Sequence, residues 1–412
     1  MTKGTIIVGS GRGLFFAKKL NTSLKHLGRK VVAMVDINPD VHEKLRRSLD
    51  SYGAKDAVVM TTLTEALEKF GPECADSVMV VASNRAHAEL TLEALSAGRH
   101  VMLEKPIAAD WHDAVTIARA ASETDRIVQL GFVLHYSSFY RKIKEIVAGG
   151  KLGRIVMLQL NERLSLDHSS TYRRGWRRKQ LNTGGFMNEK CSHDMDIICW
   201  LKQGEAVPEE VFSRGGRELF PVKPAAPEKC VDCPDKTCPF RRDLEKLAKR
   251  EFALNFDLDL QASCIFKTDA DVLNHQSVII SFSDGSQAVF TAVAYSGDPN
   301  RDIIIHGTDG YLAGDLNRGS FRWNNYYTKE REEFSCNITN DQHGGGDENI
   351  LTEFFACIAN GTQPASSVAD GLLASQLAFA ADRSVAEGRK IALSEFTAEK
   401  TEAIKTGMHR KK

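Results

Sequence analysis

The first 130 residues alternate short apolar runs with longer mixed stretches. Thr5–Val8 is β-branched and apolar. Gly9-Ser10-Gly11-Arg12-Gly13 follows, then a helix-like stretch from Leu14 to Leu27. Further apolar runs fall at Lys30–Val35, Ala57–Met60, Asp76–Ala82, His100–Leu103 and Arg126–Leu130. Helical spacing fills Asn84–Ala97, where Gly98 is placed to end the helix, and Asp113–Glu123. Short buried strands separated by helices predict a doubly wound parallel sheet with helices on both faces.

The rhythm changes after residue 130. Ile155–Arg163 reads as a longer strand, and four strand-like runs lie between Gln261 and Asp315. Ser283-Asp284-Gly285-Ser286 separates Ser277–Phe282 from Gln287–Tyr295, which signals a hairpin. A second turn, Gly307-Thr308-Asp309-Gly310, splits Ile303–His306 from Tyr311–Ala313. Helical spacing returns at Glu348–Ala359 and Ala369–Ala386. The expected organisation is α/β. A parallel-sheet domain spans 1–130. An α/β domain with a large, mainly antiparallel open sheet spans 131–396. It carries a Cys-containing insertion at about 216–250 and ends in a frayed polar tail over 397–412.

The chain has 412 residues, and 54 basic residues balance 54 acidic ones. A neutral chain has no global electrostatic attraction to nucleic acid or to an anionic membrane. No apolar run approaches the roughly 20 residues that span a bilayer. Met1-Thr2-Lys3-Gly4 runs directly into the first strand, without a secretory apolar region. Nine cysteines, an odd number scattered from Cys74 to Cys357, suit reduced thiols in the cytoplasm.

Candidate chemistry begins at the first turn. Gly9, Gly11 and Gly13 follow a strand and open a helix, where Arg12 lies among them. Glycines there let the backbone approach a pyrophosphate, and free N–H groups at the helix start favour anions. Asp36 ends the second strand, where a carboxylate would accept from the adenosine ribose hydroxyls. Glycines, strand, helix and acid together predict a Rossmann domain that binds a dinucleotide, against the alternative of an ordinary glycine turn. The third motif position, expected as Gly or Ala, is Leu14, with Gly13 beside it to supply close approach. Asp36 would repel a 2′-phosphate and no Arg follows it directly, so NAD is expected over NADP.

Several motifs together resemble the Gfo/Idh/MocA family of sugar and polyol dehydrogenases. They are Ser83-Asn84-Arg85-Ala86-His87, Ala97-Gly98-Arg99-His100-Val101, Glu104-Lys105-Pro106, Gly131-Phe132-Val133-Leu134-His135-Tyr136 and Gly153-Arg154-Ile155. They occur in the family's order along nearly the whole chain. The departure is Asn84-Arg85, where many members carry a Pro-Asn turn. The resemblance implies a Rossmann domain followed by an open-sheet domain that pairs copies into homodimers or homotetramers. It also implies a small-molecule sugar, polyol or glycoside as substrate. Ser83, Asn84, His87, Glu104 and Lys105 would then face the cofactor. Tyr136, Arg163, Arg174, Trp176 and Arg177 would face the substrate.

Oxidising an alcohol carbon needs a hydride acceptor, a base and a group that holds the developing alkoxide. Lys105 ends a parallel strand, where ligands bind in such sheets. A Lys there can bond the reacting oxygen and depress the pKa of a neighbouring base. The plain alternative is a solvated surface Lys. Pro106 is a candidate for a cis bond that aims it. Glu189 and His193 are four apart and share a helix face. The resemblance places an acid in that relation to a His beside the Glu-Lys-Pro lysine; here it is Glu where many members have Asp. His193 is assigned as general acid/base, and Glu189 as the group that binds a substrate hydroxyl or orients the chemistry. A structural His is the alternative.

The loop Asp167-His168 and Tyr172–Lys179 is basic and aromatic. It reads either as Arg forks for a hydroxylated or anionic substrate, or as a solvated or inter-subunit surface. Asp347 after Gly344-Gly345-Gly346 reads as a helix N-cap, with His343 near the substrate as a secondary reading. Cys230, Cys233 and Cys238 have a spacing that suits a structural metal, zinc first, with Cys191 or a His as fourth ligand. The alternative is three reduced loop thiols. Cys74, Cys199, Cys264, Cys336 and Cys357 read as buried thiols.

Three functions fit these residues. The first is an NAD-dependent dehydrogenase of a sugar, polyol or glycoside. The second is a redox-neutral glycosidase that oxidises transiently, eliminates, adds water and re-reduces. The third is a non-catalytic NAD-dependent sensor, against which Lys105, Glu189 and His193 together argue.

Overall fold

The computed structural model describes residues 3–249, 258–336 and 345–396. The expected tail and His343 lie outside them. Strands β1 (Lys3–Val8), β2 (Arg29–Val35), β3 (Val58–Met60), β4 (Ala75–Val80), β5 (His100–Leu103) and β6 (Val128–Leu130) form one parallel sheet. Its order is β3-β2-β1-β4-β5-β6. The chain reverses direction across the sheet between β1 and β4, which opens a crevice at their carboxyl ends.

Helices α1 (Gly11–Asn21), α2 (His42–Ser51), α3 (Leu63–Lys69), α4 (His87–Ser96) and α5 (Trp111–Ser122) make the crossovers. α1 starts at Gly11 and stops at Asn21, earlier at both ends than the pattern predicts, and Lys25–Leu27 form a separate 3₁₀ turn. α2 and α3 give no clear signal in the sequence. α2 buries only Leu45 and Leu49 among polar residues, and α3 is a short helix started by a Thr62–Glu65 capping box.

The second half contains helices α6 (Ser138–Ala148), α7 (Leu166–Ser170), α8 (Gln180–Thr183) and α9 (Phe186–Lys202), with α10 (Leu244–Ala248) and α11 (Leu258–Gln261) further on. Helices α12 (Gly346–Asn360) and α13 (Val368–Glu387) follow. The strands are β7 (Ile155–Arg163), β8 (Pro208–Gly216), β9 (His275–Phe282), β10 (Gln287–Val293), β11 (Asn300–Gly307), β12 (Gly310–Asp315), β13 (Ser320–Asn325), β14 (Arg331–Ser335) and β15 (Ile391–Ala392). They form a nine-stranded sheet in the order β14-β13-β12-β11-β7-β10-β9-β8-β15. The β7–β10 pair is parallel and the other pairs are antiparallel. β7 matches the expected strand, while β8, β13, β14 and β15 carry too few alternating apolar positions to stand out.

Side chains alternate across β7. Leu158, Leu160 and Glu162 point to the covered face, and Gln159, Asn161 and Arg163 to the open one. α9 packs between α13 and the covered face. It is buried along nearly its whole length, including Glu189, Lys190, His193, Asp194 and Asp196. α12 returns to the first sheet. Its Ile350, Leu351 and Phe354 share a core with Leu14, Phe16 and Leu20 of α1. Among the described residues no helix is long and apolar enough to cross a membrane.

Candidate active site

The first crossover forms an anion cradle. Gly9 has φ +101°, and a Cβ there would meet the Val81 carbonyl oxygen at 2.5 Å, so only glycine fits. A Cβ on Gly13 would meet Ile7 Cγ2 at 2.8 Å, so Gly13 provides the close helix–strand contact and Leu14 fills the core. Over Gly11 the space is open. The first N–H groups of α1 have no partner within the helix and face that space. Asp36 accepts from the N–H groups of Ser10 and Asn38, each at 3.0 Å, which fixes its carboxylate at the end of β2. Ile37 beside it is 85% exposed, the most exposed of the large apolar side chains among the described residues. These residues fit a dinucleotide, with the pyrophosphate over Gly11 and the ribose at Asp36. Asp36→Ala should weaken NAD binding roughly 10-fold to 100-fold, the worth of a charge-assisted bond. It should also narrow the preference over NADP. Titration of both cofactors checks this, and an unchanged NAD affinity counts against the cradle.

Lys105 stands at the edge of the same crevice. The Lys105–Pro106 bond is cis, as the motif suggests. The ammonium donates to the backbone carbonyl of Glu189 at 2.7 Å. In a regular helix that carbonyl also accepts the N–H of His193. Lys105 therefore sits on the turn that joins the two helix residues expected beside it. The Glu189 carboxylate is buried. It accepts from Arg177 Nε at 2.7 Å and Asn84 Nδ2 at 2.6 Å. Burial alone would push its pKa up, but Lys105, Arg177 and Asn84 outweigh burial and hold it below the usual carboxylate range. Burial pushes Lys105 down, against the pull of Glu189. His193 lies one turn along, buried, with its ring 5.8 Å from that of Phe132.

Several expected roles change. Asn84, expected at the cofactor, is buried and spends its amide on Glu189. His87 is fully buried with Nδ1 3.0 Å from the Pro106 carbonyl and Nε2 3.3 Å from that of Ala82. Burial pushes its pKa down, and its ring packs against the Pro106 carbonyl behind Lys105. Glu104 accepts from Arg12 Nε and from the Lys105 N–H, and Arg12 also pairs with Asp347. The side chains of Arg12 and Glu104 therefore tie α1, β5 and α12 together. Asp347 is no N-cap; Gly345 holds that position. Ser83 stays exposed just beyond β4.

Three residues expected at the substrate lie elsewhere. Tyr136 is fully buried, bonded to Gln129, Ser366 and Glu353 beneath α12. Arg163 points to the open sheet face, where it pairs with Asp298 and Asp302. An even–odd shift along the strand separates it from Glu162 on the α9 side. Arg174 is buried against the cysteine insertion. Trp176 and Arg177 do flank the site. The guanidinium carbon lies 4.7 Å from the indole centroid while Nε holds Glu189.

The sequence assigns no individual role to His168, Lys190 or Arg301. His168 stacks on Tyr172 and is held well below its usual pKa, first by burial and then by Lys190, Arg177, Lys105 and Arg301. Its i, i+4 relation to Tyr172 is the signal that was present. Of these four cations, Arg177 pairs with Glu189, Lys190 with Glu162 at 2.8 Å, and Arg301 with Glu162 and Asp194 beneath α9.

Comparison with known proteins defines the class. Residues 3–132 match the family model described as the oxidoreductase family with an NAD-binding Rossmann fold. Residues 140–313 match the GFO/IDH/MocA C-terminal domain. The chain belongs to the GFO/IDH/MocA family and is an NAD-binding oxidoreductase of that family. It is 28% identical over 275 residues to an inositol 2-dehydrogenase of Gluconacetobacter diazotrophicus, covering 65% of this chain and 70% of that one. The fold matches myo-inositol 2-dehydrogenase of Lactobacillus plantarum with TM-score 0.69 and 19% identity, over 95% of this chain and 99% of that one. It also matches a levoglucosan dehydrogenase in complex with NADH and levoglucosan, with TM-score 0.73 and 16% identity, over 95% and 100%.

Proposed function

We propose that the protein is an NAD-dependent dehydrogenase acting on a secondary carbinol of a sugar, polyol or glycoside. The observation that carries this is the Lys105 ammonium seated on the Glu189–His193 turn at 2.7 Å, beside the dinucleotide cradle. NAD, when bound, supplies the hydride acceptor. Lys105 donates to the reacting oxygen and stabilises its negative charge as the hydride leaves. His193 takes the hydroxyl proton. Glu189, kept ionised by Lys105, Arg177 and Asn84, accepts from a neighbouring hydroxyl and orients the carbinol. Phe132 packs against His193, and Trp176 against Arg177.

The same Lys105–Glu189 geometry fits one second reading, a redox-neutral glycosidase acting on a glycoside. Transient oxidation would acidify the adjacent C–H; elimination, water addition and re-reduction would recycle NAD. Reduced-nicotinamide absorbance and product analysis, over a panel of free sugars, polyols and neutral or acidic glycosides, separate the two. Stoichiometric reduced nicotinamide supports the dehydrogenase. Glycoside cleavage without net reduction supports the alternative, and NAD binding with silence in both channels sinks both. Self-association through the open face of the nine-stranded sheet, and residence in the cytoplasm, belong to the same proposal.

A further inference from the structure

The insertion gathers more cysteines than its motif contains. Residues 228–230 and 262–264 run antiparallel, with Lys229 bridging Ser263. The Cys230 N–H donates to the Ala262 carbonyl at 2.7 Å, and the Cys264 N–H to that of Glu228 at 2.8 Å. Side chains alternate along each strand, so Cys230 and Cys264 share a face on a diagonal of about 7–8 Å between Cα atoms. Cys233 follows in a turn, its N–H on the Cys230 carbonyl at 3.3 Å. Arg241 ties in Cys238. Its N–H donates to the Cys238 carbonyl at 3.0 Å, and its Nη1 to the Cys233 carbonyl at 3.1 Å. Cys191, the fourth ligand suggested by sequence, lies instead on α9 beside Asp194 and Glu162.

A buried guanidinium lies at the same place. Arg174 is 1% exposed. It donates to the carbonyls of Ser263 at 2.6 Å and Phe240 at 2.8 Å, and to Cys230 Sγ at 3.2 Å. Among the described residues its buried Nη1 has no hydrogen-bond partner. Among the described residues no carboxylate forms an ion pair with it, and its one side-chain partner is Cys230 Sγ. A guanidinium stays charged in a protein, and burying it without a counter-charge is costly. A metal centre held by thiolates would place compensating negative charge beside the guanidinium.

We propose that Cys230, Cys233, Cys238 and Cys264 form a structural tetrathiolate zinc site, with Arg174 as its buried outer donor. Four sulfur ligands with a C-x2-C turn and no open position suit zinc. Among the described residues no three of these sulfurs lie within 4.8 Å of one another. Coordination therefore requires the half-exposed Cys233 and Cys238 turns to close onto Cys230 and Cys264. The site would pin the insertion to the loop that carries Trp176 and Arg177. It stands independently of the proposed reaction.

Full-length protein grown with added zinc and dialysed against metal-free buffer should carry about one zinc per chain by mass spectrometry. Cys264→Ser and Cys230→Ser should each lose it, and Cys74→Ser, on an exposed thiol, should keep it. In native wild type, four of the nine thiols should react with Ellman's reagent only after a chelator removes the metal. Cobalt loading should give a thiolate charge-transfer band. Substoichiometric zinc with all four thiols freely reactive overturns the site, as does iron with labile sulfide. Zinc retained in Cys264→Ser overturns that ligand. If the serine variants do not fold, the wild-type titration decides.

Discussion

Lys105→Met should lower kcat by roughly 10²-fold to 10⁴-fold, the usual worth of a positioned proton donor, while NAD still binds. The substitution keeps length and apolar volume, and it removes the charge that bonds the Glu189 carbonyl and would hold the developing alkoxide. The cradle at Gly9, Gly11 and Asp36 is built by β1, β2 and α1 and takes no part from this side chain, so cofactor titration should change little. Lys105→Arg should not rescue turnover, because a planar fork cannot replace a compact ammonium on one carbonyl. Turnover within a few-fold of wild type in Lys105→Met would mean that the reaction is organised by other residues. Loss of turnover together with loss of NAD binding would place Lys105 in the cofactor site instead.

Arg301→Met should destabilise the fold by about 3–5 kcal/mol, the cost of breaking a buried ion pair by removing one partner. Arg301 lies directly opposite Glu162 in the β11–β7 register and reaches Asp194 on α9 at 3.0 Å. Without it, two buried carboxylates face one another with only Lys190 between them. The sign of the pH effect follows. Asp194 is already pushed up to about 6, by burial first and by Glu162, against the pull of Arg301. A carboxyl whose folded pKa lies above its unfolded value favours folding at low pH, and that advantage is lost as pH rises through the folded value. Removing Arg301 raises the folded pKa further. The variant should therefore be hurt more at pH 8 than at pH 5, and adding Asp194→Asn should recover part of the loss. Denaturant titrations at both pH values measure this. A loss within about 1 kcal/mol, or one independent of pH, would show that the pair is not buried in solution.

The chain's local pattern was enough to read the first sheet, the dinucleotide cradle and the Glu189–His193 pair. Each rests on short-range periodicity, glycine geometry or a four-residue helix spacing. The motif order along the chain was enough to place Lys105 beside that pair. The remaining assignments depended on contacts between distant segments. Asn84 and Arg177 meet on Glu189 because β4 and the 165–183 loop are folded over α9. Tyr136 sits in a motif that looks like a ligand contact, yet α12 returns from the far end of the chain to bury it. Arg163 follows Glu162 by one residue, and the pleat alone sends it to the opposite face. Cys264 joins Cys230 through an isolated bridge that no spacing rule encodes. A local pattern specifies which face of an element is apolar, but not which element covers that face. That choice is made by packing across the whole chain, where the burial of α9 gathers ordinary charged residues into a candidate site.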